Sequence, residues 1–159
     1  MDHDILNGYR ETCAGPPAPQ SHAIILRPAT STDLTAIAEI QTASSEAAHW
    51  PPEDYLGYDT LIAEADHRVV AFLAARQVAP GERELLNLAV HPEFRRRGIA
   101  SSLLQAALGA APAEWFLEVR ASNHAAIAFY VQHGFHRAGV RPKYYRDPTE
   151  DAVVMRKAS

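Results

Sequence analysis

The sequence predicts a single mixed α/β domain of the α+β kind, and three observations predict it. Short apolar segments of strand length recur in the first half of the chain. The second half then runs strand, helix, strand, helix, strand. Apolar periodicity is lost only over the first 21 residues, so no linker divides the chain beyond them. A length of 159 residues suits one domain with enough chain to bury a core.

Residues 1–21 end near Gly15-Pro16-Pro17-Ala18-Pro19. Proline removes backbone donors and stiffens a chain, so a mobile arm is expected over 1–21 and the domain over 22–159. Ala23 to Leu26 reads as a short strand. Thr30 followed three residues later by Asp33 resembles a capping box. Leu34, Ile37 and Ala38 then recur at helical spacing, which predicts a helix to about Ala47. Trp50-Pro51-Pro52 breaks it, and a short second helix is expected after the break. Asp59 to Glu64 and Val69 to Arg76 read as two strands. The four residues Ala65-Asp66-His67-Arg68 between them are short enough for a hairpin. Pro80-Gly81 marks the next turn, and Glu84 to Val90 is another strand.

Ala100, Leu103, Leu104, Ala107 and Leu108 form one apolar stripe, which predicts a helix from near Gly98. Gly109 and Pro112 stop it. Glu114 to Val119 is a strand. Asn123 is a good N-cap for a helix closed by Gly134. Phe135 to Val140 and Asp151 to Arg156 read as the closing strands, with Tyr144 and Tyr145 in the connection between them.

Composition excludes several classes. Apolar residues make up 47% of the chain, too much for a disordered one. Its one cysteine, Cys13, cannot make an internal disulfide framework, and the eight histidines show no ligand spacing with it, so no metal site is expected. With 15 Lys plus Arg against 19 Asp plus Glu the net charge is −4, which disfavours a nucleic-acid partner. No apolar run is long enough to span a bilayer, and Met1-Asp2-His3-Asp4 lacks an apolar signal core. The expectation is a cytoplasmic protein without membrane attachment, a monomer or weak homodimer.

Chemistry concentrates after the strand ending at Val90. Arg95, Arg96 and Arg97 directly precede a helix, whose N-terminus carries partial positive charge. An anion among them reverses that repulsion, and Gly98 and Ala100 let backbone N–H groups approach it. A diphosphate fits; so does a solvated basic turn with a convenient glycine. Glu118 interrupts the apolar strand Trp115 to Val119. Alternation sets Phe116, Glu118 and Arg120 on the face opposite Trp115, Leu117 and Val119. A partly desolvated carboxylate is a better base. An ion pair with Arg120 or with a neighbouring strand is the plain alternative. Tyr130 falls with Ala126 and Ile127 on or beside the apolar side of its helix, where packing alone would account for it.

Arg95-x-x-Gly98-x-Ala100 resembles the (Q/R)-x-x-G-x-(G/A) signature of the GNAT acetyltransferases. Trp115 to Asn123, Ala126 to Tyr130 and Gly134-Phe135 extend the likeness. So do Tyr144-Tyr145, Pro148, Glu150-Asp151-Ala152 and Met155. Together these blocks resemble the bacterial ribosomal-protein-alanine N-acetyltransferases from about Leu85 to Met155; the half before Glu84 resembles them loosely. The resemblance implies a GNAT fold: a mixed, mostly antiparallel sheet of roughly six or seven strands flanked by about four helices. The strands on either side of the Gly98 helix are expected to splay apart.

The resemblance also implies acetyl-coenzyme A as cosubstrate and a protein N-terminus as acceptor, an alanine of a ribosomal protein. It assigns the diphosphate to Arg95, Arg96, Arg97, Gly98, Ile99, Ala100 and Ser101. A bulge over Leu88, Ala89 and Val90 would contact the pantetheine arm and thioester, with Asn123 near the acetyl end. Glu118 becomes general base, Tyr130 general acid, and Tyr144 and Tyr145 a clamp on the peptide backbone. His49-Trp50 departs from the pattern of close relatives near the substrate groove. Acetyl transfer to a small-molecule amine is the alternative enzyme; a non-catalytic acyl-coenzyme A binding module is the alternative of another class.

Overall fold

The computed structural model describes residues 23–158. The expected arm and Cys13 lie outside the described residues. One seven-stranded sheet organises the chain, in the order β1-β2-β3-β4-β5-β7-β6. Its strands are β1 Ile25–Pro28, β2 Asp59–Ala65, β3 Arg68–Ala79, β4 Glu82–Val90, β5 Glu114–Arg120, β6 His136–Arg146 and β7 Thr149–Lys157. Every neighbouring pair is antiparallel except β4 and β5. A parallel pair cannot be joined by a hairpin, and helix α2, Ile99–Gly109, makes the crossover.

Local chemistry explains the connections. Asp66 and His67 both take positive φ, 50° and 61°, the turn that matches the twist of the β2–β3 hairpin. At the start of helix α1, Leu34–Ala43, the Asp33 carboxylate accepts the Thr30 N–H at 2.8 Å, the reciprocal half of the expected box. Arg27 grips the same carboxylate from both nitrogens, at 2.8 and 2.9 Å, and holds the buried Asp33 carboxyl down at about 2. Helix α1 ends at Ala43, short of the expected Ala47, because Ser44 leaves helical geometry with ψ 88°. The expected second helix is 3-10, over Pro52–Gly57. Strand β1 sits two residues later than the apolar run indicated.

The two faces of the sheet carry different helices. On β3, Ala71, Leu73 and Ala75 pack with Ile99, Leu103 and Leu104 of α2 and with Ile127 and Tyr130 of helix α3, His124–Gln132. Phe72 and Ala74 point the other way, into a smaller cluster with Ile37, Ile40 and Tyr55. Leu103 and Leu104 are fully buried, each contributing about 1.5–3 kcal/mol over an exposed position. The α2 stripe is rotated slightly from expectation, with Ile99 rather than Ala100 inside.

Two corrections concern the site. Tyr144 and Tyr145 do not lie in a connection: β6 runs on through them to Arg146. Lys143 takes φ 53° and the register shifts between Arg141 and Tyr145, so an edge strand accommodates Pro142 and continues. The bulge on β4 is at Leu86, not over Leu88 to Val90. Ala74 faces Asn87 and Ala75 faces Leu85, which leaves Leu86 without an opposite residue. The pairing of Leu88, Ala89 and Val90 with Leu73, Phe72 and Ala71 is regular.

Candidate active site

The expected splaying of β4 and β5 is present. They pair from Glu82↔Glu114 to Leu85↔Leu117, and the ladder then stops. The bulge at Leu86 turns β4 away where pairing ends. A cleft of about 1000 Å³ passes through the opening. Leu88, Ala89 and Val90 line it from β4, while Glu118 and Arg120 line it from β5. Backbone groups of β4 that would have bonded to β5 are released into this space.

One end of the cleft is built for an anion. Arg96 at φ 64° and Gly98 at φ 78° bend the chain into α2. A Cβ on Gly98 would meet nothing within 4 Å, so its positive φ, rather than crowding, is what requires glycine. The first bond of the helix is Ser102 N–H to Gly98 O at 3.0 Å. The N–H groups of Ile99, Ala100 and Ser101 therefore have no intrahelical acceptor, and these residues line the cleft.

The three arginines have different fates. Arg96 lines the cleft and makes no ion pair among the described residues. Arg97 lies outside the lining, donates to Glu93 O at 3.0 Å and stacks over Phe94. Arg95 lines the cleft but is engaged by the protein itself: with Val90 O at 3.1 Å, the Ser44 hydroxyl at 3.2 Å and Glu46 at 2.6 Å. It ties the end of β4 to the loop after α1.

At the centre stands Glu118, its side chain 12% exposed and paired with Arg141 Nη1 at 2.8 Å. The partner comes from β6, two strands away, rather than from Arg120, which pairs with Glu150 at 3.1 Å. The Glu118 carboxylate pushes the Tyr144 hydroxyl up to about 12. Burial first, and then Glu118, raise Tyr145. The two rings meet edge to face at 5.1 Å, and Arg120 lies 4.2 Å over the Tyr145 ring. Both tyrosines line the cleft, as do His49 and Trp50.

Tyr130 comes from α3, where Asn123 caps the helix by accepting the Ala126 N–H at 3.1 Å. The Phe135 N–H returns to Tyr130 O at 3.0 Å, around Gly134 at φ 87°. The Tyr130 ring packs on Phe129 and Phe135, and burial pushes its hydroxyl well up. A buried phenol so shifted keeps its proton at neutral pH, and this hydroxyl makes no hydrogen bond among the described residues. Tyr130 and Asn123 both line the cleft. The donor set fits acetyl-coenzyme A: free helix N–H groups and a guanidinium at one end, released strand backbone in the middle, a buried phenol beside it.

Several residues that shape the site were not anticipated. Arg141 reaches Glu118 across the intervening strand β7. Asn87, Gln41 and Tyr55 form a buried polar group beside Ala48 and Trp50 of the cleft lining. For Asn87 a signal was present: one amide within the apolar run Leu85 to Val90.

A parallel strand pair thus opens beside a glycine-started helix, and a carboxylate and a phenol line the cleft there. The acetyltransferase (GNAT) family profile matches residues 29–135, and the chain belongs to that family. Among its relatives is the [ribosomal protein bS18]-alanine N-acetyltransferase of Salmonella typhimurium. That enzyme is 39% identical over 138 residues, 79% of this chain and 90% of the relative. The crystal structure of the ribosomal-protein-S18-alanine N-acetyltransferase from Escherichia coli superposes with a TM-score of 0.71 at 31% identity, covering 85% of this chain and 93% of that one. Chaetomium thermophilum Naa20, solved with a bisubstrate analogue, gives 0.76 at 26% identity over 84% of this chain and 86% of its own. Among the described residues no helix is long and apolar enough to cross a membrane, and no group of His, Cys, Asp or Glu is placed to hold a metal.

Proposed function

We propose that this N-acetyltransferase moves acetyl from acetyl-coenzyme A to the α-amino group of a protein, an N-terminal alanine of a ribosomal protein. The observation that carries the reading is the cleft itself, which lies between the parted strands and is lined from β4, β5, α2 and α3. Glu118 stands at the opening and the Tyr144–Tyr145 pair on the acceptor side. The 39% identity to an enzyme of that stated activity supports it. A ribosomal acceptor sets the reaction in the cytoplasm.

Acetyl-coenzyme A, when bound, supplies an activated thioester. The N–H groups of Ile99, Ala100 and Ser101 and the free Arg96 hold the diphosphate. Arg95 and Arg97 brace that loop through their contacts with Val90, Glu46 and Glu93. Backbone groups of Leu88, Ala89 and Val90 align the pantetheine arm, with Asn123 close to the acetyl end. An α-amino group has a pKa of roughly 7.7–8.0, so much of it arrives protonated. Glu118 takes that proton, and the nitrogen lone pair then bonds to the acetyl carbon. As the carbon–sulfur bond breaks, Tyr130 gives its proton to the departing sulfur; the nitrogen sheds its second proton to solvent to become the amide, and Tyr130 and Glu118 return to their starting states by proton exchange with solvent. Tyr144 and Tyr145 hold the peptide backbone so that only an extended N-terminus reaches Glu118.

One assay tests the acceptor class. Peptides beginning with alanine and free amines, polyamines and amino acids among them, compete for acetyl transfer. The expected result is a preference for the peptides of about a hundredfold or more in kcat/KM, the scale set by lost transition-state contacts. Equal or better transfer to a free amine would overturn the protein acceptor. Tight acetyl-coenzyme A binding without transfer to any amine would overturn catalysis itself.

A further inference from the structure

Asn87 is the one polar side chain within Leu85 to Val90, and it is 6% exposed. A buried amide needs partners for its nitrogen and for its oxygen. The nitrogen has them. Asn87 Nδ2 donates to Ala48 O at 2.9 Å and to the Tyr55 hydroxyl at 2.7 Å. Ala48 O is a carbonyl and can only accept, so the amide has one allowed orientation. The Tyr55 hydroxyl in turn donates to Gln41 Oε1 at 2.7 Å. Gln41 is locked as well: its Oε1 accepts the Trp50 N–H at 3.0 Å and its Nε2 donates to Trp50 O at 3.2 Å. The hydrogen bonds therefore run one way, from Asn87 through Tyr55 to Gln41, and they pin Ala48 and Trp50 on the cleft wall.

The oxygen of Asn87 is left over. It accepts from none of the described residues. Among those residues the buried side-chain atoms without partners are Arg83 Nε and Trp115 Nε1. Asn87 Oδ1 is not one of them, so it meets open space, and the space Asn87 borders is the cleft. Its contacts with Ala48 and Tyr55 place Asn87 on the α1 side of the sheet. Glu118 is on that side too, opposite the buried Trp115, Leu117 and Val119. The two residues stand on the two strands just beyond the point where pairing stops.

We propose that Asn87 is an acceptor-binding residue whose Oδ1 accepts an N–H of the incoming amine; this rests on the transferase reading above. A primary ammonium carries three protons. Glu118 removes one, and Asn87 holds one of the two that remain. The lone pair then has a fixed direction instead of rotating freely. The hydrogen bonds to Ala48 and Tyr55 keep Oδ1, and not Nδ2, toward the nucleophile.

Steady-state kinetics with an alanine-starting peptide test this. Asn87→Ala and Asn87→Asp both lose the donors to Ala48 and Tyr55, but only Asn87→Asp keeps an oxygen at the Oδ1 position. Asn87→Ala is expected to lower kcat/KM for the peptide roughly 30-fold, mainly through KM, and Asn87→Asp to recover about tenfold of that. Acetyl-coenzyme A affinity stays at the wild-type value in both. Equal loss in the two variants, or an Asn87→Ala enzyme within about threefold of wild type, overturns the proposal. If both variants lose acetyl-coenzyme A affinity, Tyr55→Phe carries the test, since it retains Asn87 and removes one of the two acceptors that orient it. A peptide KM raised about threefold at unchanged kcat is then expected, and an unchanged KM overturns the proposal. Wild-type transfer to free amines but not to peptides would sink the protein-acceptor reading alone, and the Asn87 comparison would be made on those amines.

Discussion

Strands β4 and β5 are two regions in one: a closed end, where Glu82 to Leu85 pair with Glu114 to Leu117, and an open end beyond it. At the closed end the sheet is ordinary. Trp115 and Leu117 are buried, Arg83 lies over the Trp115 ring, and ion pairs join Arg83 to Asp59 and Arg156 to Glu114. Just past Leu85 and Leu117 the same two strands expose backbone to a cleft and hold Asn87 and Glu118 on its walls. One extra residue, Leu86, separates the two behaviours. Stability and chemistry are thus divided along a single strand pair. The ladder provides the first, and its interruption provides the second.

The sharpest way to break that division is at the open end. Glu118→Gln is expected to cost about 10²–10⁴ in kcat with the melting temperature nearly unchanged, checked by single-turnover transfer and calorimetry. A normal rate at every pH would remove Glu118 from the base role. Next is the closed end, where Leu117→Ala leaves a cavity beneath the sheet. Stability should fall by about 3 kcal/mol, seen in urea unfolding, while turnover per folded molecule is kept. If both variants lost rate and stability together, the two ends would not be separable.

Gly98→Ala probes the hinge of the cofactor loop. Open space surrounds that position, so only the strain of φ 78° is added, about 1–2 kcal/mol. Weaker acetyl-coenzyme A binding at unchanged peptide KM is expected from titration calorimetry. The smallest effect tests a site remote from both ends. Arg27 holds the Asp33 carboxyl at about 2, below its unfolded value of 3.8. A depressed carboxyl stabilises the fold above the unfolded pKa, and that contribution is lost as pH falls through the folded one. Asp33→Asn should therefore be less stable than wild type by on the order of 1–2 kcal/mol at pH 7. Thermal melts should show the gap closing between about pH 4 and 2, with activity at neutral pH unaffected.

Much of the fold was legible because its signals are local. The Asp66-His67 turn, the Asn123 cap, the Gly134 stop and the alternation of Trp115, Leu117 and Val119 each depend on a few adjacent residues. The candidate site residues were legible for a different reason: most lie at the ends of those elements, within motifs of fixed spacing. Tyr144 and Tyr145 were placed in a connection because the apolar run stops at Val140, yet the strand continues through Pro142. At a sheet edge proline breaks nothing, since its missing donor would have faced outward. Which residues sit on an edge is not a local property.

By itself, then, the sequence determined most of the elements, the strand–helix–strand order around α2, a glycine at the start of that helix, and a carboxylate set among apolar neighbours; the parallel pairing and the positive φ of Gly98 came from the structure. Side-chain periodicity and backbone preference act within one element and can be read along the chain. Only the tertiary structure decided that Glu118 pairs with Arg141 rather than Arg120, and that Arg95 grips Ser44 and Glu46. It alone turned a lone asparagine into one end of a directed set of hydrogen bonds. Those outcomes depend on strand order and on where a ladder stops. Both arise from residues far apart in sequence competing for the same partners in space.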